Sequence, residues 1–270
     1  MKARLNARQS AKLIVLLLFA PPVAALGFFV AIWALAWQLD QHRPIDTILP
    51  ANALRVGVDP ANPPFAFYNG DTLTGLDIDL AVALGQRLGV PVQFVPLGYD
   101  GLYDALKIGQ VDALIAAVAI DPARTGLARY SAPYFNAGLA LITAESSAIH
   151  SMRDLPGKQL ALEFGSEADT EARRWLRRIL PFTILPYAQP DHALDAVRLS
   201  AADAALVDSI TARLYLRDHP EWGHRLIPVT VLPIAVATHA DHARLGSALD
   251  RALASLFQNG TIDRLLEVWL

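Results

Sequence analysis

The chain has 270 residues, 53% of them hydrophobic and 18% charged, with a net charge of −3. Near-neutral charge gives no support for nucleic-acid binding, which requires a basic face. The absence of cysteine excludes disulfides, thiolate nucleophiles, zinc–thiolate centres and a cysteine-linked lipid anchor.

From the N-terminus, Lys2, Arg4, Arg8 and Lys12 precede an uncharged apolar run over residues 13–37. At about 1.5 Å per residue that run crosses a hydrocarbon core of about 30 Å. The basic flank, residues 1–12, puts this end in the cytoplasm and everything after the run outside. A cleaved secretory signal has a shorter core and a small-x-small site; Ala34-Leu35-Ala36 is such a site, placed late and followed by Trp37. The length favours an uncleaved anchor with Trp33 and Trp37 at the outer interface, although Pro21-Pro22 and Gly27 interrupt the run. Both readings export the rest. Residues 38–53, with Pro44 and Pro50, read as a linker.

Beyond the linker, strand and helix patterns alternate, as in parallel sheets covered by helices. Leu54, Val56 and Val58 alternate with Arg55, Gly57 and Asp59 as a strand running into a Pro-rich loop. After Gly75 the apolar spacing shifts from two to helical, with Asp77 and Asp79 in the opening turn where carboxylates suit the helix dipole. The pattern predicts a helix over 78–88, a strand over 92–96, a helix over 99–108 and strands over 113–117 and 139–143. A second series follows: strand 159–163, helix 167–180, strand 182–187, helix 193–199, strand 204–207 and helix 209–216. A return strand over 233–238 and two helices within 242–270 close the chain.

The block Gly75-Leu76-Asp77-Ile78-Asp79-Leu80 followed by an apolar helix resembles the signature of family 3 extracellular solute-binding proteins, the amino-acid receptors of ABC importers. The resemblance extends over about 54–270. It implies a two-lobed α/β fold of the type II periplasmic-binding-protein kind, with lobe two (144–231) inserted into lobe one (54–143 and 232–270). It also implies a monomer without cofactor or metal that delivers a small polar or cationic ligand to an inner-membrane permease. Gram-positive relatives usually carry a lipid, so the missing cysteine points to a Gram-negative periplasm, with the apolar run as tether.

The resemblance places the ligand between the lobes, at loops after the carboxyl ends of strands. Asp59 falls where some relatives pair an aspartate with a basic ligand side chain; its alternative role is a turn bonding its own backbone. Asn62 stands where relatives often stack an aromatic, and Tyr99 where they line the cleft with one. In Ala117-Val118-Ala119-Ile120-Asp121-Pro122-Ala123-Arg124, Asp121 and Pro122 form a helix start. Arg124 matches the arginine that grips the ligand carboxylate. Ala119 lacks the hydroxyl that relatives add beside Ala117 and Arg124. Gly165 and Ser166 match a turn whose backbone N–H groups face an anion. Glu163 and Glu167 add carboxylates where relatives have other residues, and Asp208 matches the acceptor for the ligand ammonium. A like-charge contact at about 4 Å and an effective dielectric near 20 costs about 4 kcal/mol. The acids therefore favour a basic amino acid or an amine.

Two other functions remain open. A cyclohexadienyl-type dehydratase would use Glu163 or Glu167 as its acid, and a membrane-anchored sensory receptor would use the apolar run. His239-Ala240-Asp241-His242 has a metal-like spacing without further ligands nearby in sequence, which suits exposed loop histidines better.

Overall fold

The computed structural model describes residue 49 and residues 52–270, so the expected membrane run 13–37 and its basic flank lie outside the described residues. Among the described residues no helix is long and apolar enough to cross a membrane.

Strand β1 (Leu54–Val58) buries Leu54, Val56 and Val58 completely, as their alternation predicts. The Pro-rich loop is partly ordered as a small antiparallel sheet of β2 (Ala61–Asn62), β3 (Ala66–Asn69) and β4 (Thr72–Thr74). Strands this short leave no readable alternation. Gly75 then opens helix α1 (Leu76–Leu88) at φ 134°, where a Cβ would lie 2.2 Å from the Phe65 carbonyl oxygen. Only glycine lets the chain come this close. The carbonyls of Pro64 and Phe65 accept the first N–H groups of the helix, from Leu76 at 3.0 Å and Asp77 at 2.8 Å. The three fixed residues of the sequence block thus have separate jobs. Gly75 permits the approach, Asp77 reaches across the lobe, and Asp79 accepts the Trp269 indole N–H at 2.8 Å.

Strand β5 (Val92–Pro96) pairs in parallel with one side of β1. A 3₁₀ turn (Tyr99–Gly101) and helix α2 (Leu102–Lys107) lead to β6 (Ala113–Leu114) on its other side. The strand expected over 113–117 stops early because Ala117 takes a left-handed conformation, φ 49°, with its N–H held by Asp77. Strands β7 (Ala128–Tyr130) and β8 (Phe135–Asn136) precede β9 (Leu139–Ala144).

The second lobe contains β10 (Gln159–Glu163), α3 (Glu167–Leu176), β11 (Thr183–Tyr187), α4 (Pro190–Arg198), β12 (Ala204–Asp208), α5 (Ser209–Asp218) and β13 (His224–Pro228). Helix α3 ends four residues before the predicted limit; Pro181 disfavours helix at the residue preceding it. Helix α4 begins earlier than predicted, with Pro190 at its first turn, where the missing N–H costs nothing. The return segment splits into β14 (Pro233–Ile234) and β15 (Ala237–His239), followed by α6 (Ala243–Gln258) and α7 (Thr261–Trp269).

The strands form two five-stranded sheets, ordered β5-β1-β6-β15-β7 and β11-β10-β12-β9-β13. In each, three parallel strands continue into antiparallel ones. Apolar clusters cover both faces of the second sheet, one built on Leu194, Val197 and Tyr215, the other on Leu155, Leu160 and Phe182. Strand β9, expected to close lobe one, pairs wholly within the second sheet. The crossing therefore falls at residues 136–138 rather than near 143. There the two crossing segments are tied together. Asn136 donates to the Thr230 carbonyl at 3.2 Å and accepts from Leu232 N–H at 2.8 Å, and Thr230 Oγ1 accepts from Leu139 N–H at 2.7 Å. A Cβ on Gly138 would sit 2.3 Å from the Thr230 carbonyl oxygen, so glycine is required for this contact as well.

Candidate functional site

In both sheets the chain reverses direction of travel between the first parallel strand and the third: between β1 and β6, and between β10 and β12. Loops at the carboxyl ends of such strands open a crevice at the switch point. Asp59 and the 117–121 loop lie at these ends in the first sheet, and Glu163, Gly165 and Asp208 in the second.

On the first lobe a hollow of about 340 Å³ is lined by Tyr99, Asp100, Tyr103, Ala119, Asp121 and Arg124. The guanidinium of Arg124 lies 4.2 Å over the Tyr103 ring, and its Nε donates to Asp121 Oδ2 at 3.1 Å. Its two terminal nitrogens have no partner among the described residues, which leaves the paired donors that suit a carboxylate. Tyr103 is fixed in turn by a 2.9 Å hydrogen bond between its hydroxyl and that of Tyr130, and burial pushes its phenol well above the ordinary range. Asp121 also caps its own turn by accepting from Ala123 N–H at 2.9 Å, as Asp-Pro predicts. The Arg124–Asp121 pair is about half exposed on both sides, so it is worth under about 1 kcal/mol and yields readily to a ligand anion.

On the second lobe a hollow of about 140 Å³ is lined by Glu163, Ser166, Glu167, Ala168 and Asp208, among others. Oδ1 of Asp208 accepts from Ile210 N–H at 3.1 Å and Thr211 N–H at 2.8 Å, capping α5. Its Oδ2 makes no hydrogen bond among the described residues. Cap and ligand acceptor are therefore compatible on one carboxylate. At the start of α3 the N–H of Gly165 is taken by Asp169 Oδ2 (3.1 Å), and that of Ser166 points to the Glu163 carbonyl (3.4 Å). The first free N–H groups are those of Glu167 and Ala168. Glu167 is exposed and makes no ion pair among the described residues, and Arg124 is paired with Asp121.

Tyr99, Ala119 and Arg124 thus share one hollow, and Glu163, Ser166, Glu167 and Asp208 share the other. Asp59, Asn62, Ala117 and Gly165 line neither. Asp59 is 9% exposed and accepts from Ala61 N–H at 3.0 Å, the turn geometry weighed for it above. Three residues of the first hollow escaped the sequence reading. Asp100 reads as a first-turn acid, Tyr103 sits on a helical core pattern, and Asp121 carries an N-cap signal that conceals its reach to Arg124 three residues on. A further residue acts from outside the hollows. Asp77 is fully buried, accepts from Ala117 N–H and from the Tyr134 hydroxyl, both at 2.6 Å, and holds the left-handed turn from which the 117–121 loop departs. Burial raises its carboxyl from 3.8 to about 6, against the opposing effect of those two donors. No group of three or more His, Cys, Asp or Glu placed to hold a metal occurs among the described residues.

Residues 54–270 match the family described as bacterial extracellular solute-binding proteins, family 3. The chain belongs to that family. The arginine-binding extracellular protein ArtP of Bacillus subtilis (strain 168) is 25% identical over 158 residues, 58% of this chain and 62% of that relative. This chain spans 62% and 64% of the length of the first two curated relatives it matches. Among solved structures, an ancestral cationic amino acid solute-binding protein is 30% identical, with a TM-score of 0.61. The match covers 83% of this chain and 98% of that one. An ancestral cyclohexadienyl dehydratase is 26% identical, with a TM-score of 0.70, covering 83% and 95%. The family fold is the two-lobed type II architecture described above, and the family is extracellular.

Proposed function

We propose that this protein is the receptor of an ABC importer and captures a cationic amino acid or a related amine between its lobes. One observation carries this reading: the two hollows present five carboxylates, Asp100, Asp121, Glu163, Glu167 and Asp208, against the single guanidinium of Arg124. A zwitterion uses Arg124 for its carboxylate and Asp208 for its ammonium, and the remaining acids favour a second positive charge on the ligand. Arg124 and Asp208 belong to different lobes, so a ligand that holds both stabilises the closed state. ArtP and the ancestral cationic receptor, by their names, bind ligands of this class. The run 13–37 tethers the receptor to the outer face of the inner membrane, where a permease receives the ligand from a monomer.

Calorimetry with arginine, lysine, putrescine, glutamine and glutamate tests the ligand class. Tightest binding of arginine, lysine or putrescine is expected; tightest binding of glutamate overturns the charge argument. A reporter fused after Leu270 that is active only in the cytoplasm overturns the topology. The dehydratase neighbour and the half-buried Glu163 favour a second reading, a lyase with Glu163 or Glu167 as its acid. Incubation with prephenate or arogenate followed by mass spectrometry decides it, and absence of turnover removes the lyase.

A further inference from the structure

A third cavity, of about 350 Å³, lies at the crossing between the lobes; it shares Leu139 with the second-lobe hollow and no residue with the first. Its wall takes Phe135 from β8, Leu139 from β9, Arg213 from α5, Pro228 from β13 and Leu266 from α7, so both lobes contribute to it. The other polar side chains on this wall already have partners. The Tyr134 hydroxyl donates to Asp77, Ser209 Oγ donates to the Asn136 carbonyl at 2.8 Å, and the Asn136 amide is committed to the crossing segments. Arg213 is the exception. Its Nε is buried without a hydrogen-bond partner, and its guanidinium makes no ion pair among the described residues. Its one neighbour of note is the Phe135 ring, 5.7 Å away, which attracts the cation without satisfying its donors.

A buried donor left without an acceptor is unfavourable, and more so when it is charged. Apolar walls with one unpaired cation select a ligand with an anionic head and an apolar body. At about 30 Å³ for each water-sized group, the cavity holds about a dozen non-hydrogen atoms. We propose that the crossing cavity is a second binding site, for a small monocarboxylate with an alkyl or aryl body, its carboxylate held by Arg213. Neither Arg124 nor Asp208 lines it. Because its wall comes from both lobes, an occupant makes different contacts in open and closed states and so alters cleft affinity.

The test is calorimetry of the purified protein with octanoate and with octanol, in the parent and in the Arg124→Ala, Arg213→Met and Arg213→Lys variants. Octanoate is expected to bind the parent and Arg124→Ala equally. It should bind Arg213→Met at least about tenfold more weakly, the loss of one charged hydrogen bond. Arg213→Lys should retain most of the affinity, and octanol should bind the parent at least about tenfold more weakly than octanoate. Absence of octanoate binding, equal binding of octanol, or unchanged affinity in Arg213→Met overturns the proposal. Octanoate binding that is lost in Arg124→Ala and displaced by arginine places the carboxylate in the cleft; the second site then falls while the receptor reading stands. Should Arg213→Met not fold, the octanol comparison in the parent and Arg213→Lys decide alone.

Discussion

Replacing Asp77 by Asn removes a buried titrating group while leaving both of its hydrogen bonds available. The amide oxygen can accept from Ala117 N–H, and the amide N–H₂ can donate to the Tyr134 hydroxyl, which is able to accept as well as donate. What changes is the coupling of stability to pH. The carboxyl sits at about 6 in the folded protein and 3.8 in the reference state, raised first by desolvation. Between those values the folded chain binds more protons than the unfolded one, so stability from this group rises as pH falls. The gain begins as pH drops through about 6, is complete below 3.8, and is lost again as pH rises through the folded value. Each unit is worth about 1.4 kcal/mol, so the whole effect is about 3 kcal/mol. Other carboxylates titrate in the same range and act in the opposite direction where hydrogen bonds hold them low, as for Asp195. The informative quantity is therefore the parent's stability minus that of Asp77→Asn, from urea melts at steps between pH 7.5 and pH 4. By pH 4 the parent should have gained about 2.5 kcal/mol relative to the variant. A flat difference, or one in which the parent loses ground, refutes the reasoning; it would mean that the two 2.6 Å donors outweigh desolvation and keep the carboxylate ionised.

The cleft yields further tests. Arg124→Ala should weaken arginine binding by about 2–5 kcal/mol by calorimetry, as for truncation of one partner in a desolvated charge pair. Asp208→Asn keeps an oxygen for capping α5, so melting should change little while affinity falls; Asp208→Ala should lose the affinity and also about 1 kcal/mol of stability. Glu167→Thr removes a carboxylate beside the free N–H groups of α3, and a binding panel should show glutamine and other neutral amino acids gaining relative to lysine. Gly75→Ala would press a methyl group into the Phe65 carbonyl, and denaturant melts should show a loss above about 2 kcal/mol.

Local patterns made much of this architecture readable before any coordinate was known. The alternation in Leu54–Val58, Val92–Pro96 and Gln159–Glu163 matches the observed strands residue for residue, because each is bounded by loop or turn residues. Legibility ended where long-range contacts decide conformation. Ala117 looks like the end of an apolar strand, yet a carboxylate 40 residues away turns it left-handed. Strand β13 escaped because His224–Pro228 carries no clean alternation and pairs with a strand about 80 residues earlier. At the site, residue identity singled out Glu163, Glu167 and Asp208, which share one hollow, but also Asp59, which lines neither, and it passed over Asp100 and Asp121. It did not convey that the carboxylate beside Arg124 is that of Asp121. The commitment of the Gly165 N–H to Asp169 was hidden for a similar reason, since an aspartate in the first turn of a helix reads as dipole compensation.

The paired crossing segments carry a consequence for how motion could be watched. Two segments joined through Asn136, Gly138 and Thr230 bend together more easily than they shear apart. A lobe opening that kept these contacts would be nearly a single change of angle about the strap. Two dyes, one on each lobe and far from the strap, would report almost the whole of that coordinate as a single distance. Such a labelled chain would serve as an optical gauge of ligand concentration without any rebuilding of its binding residues.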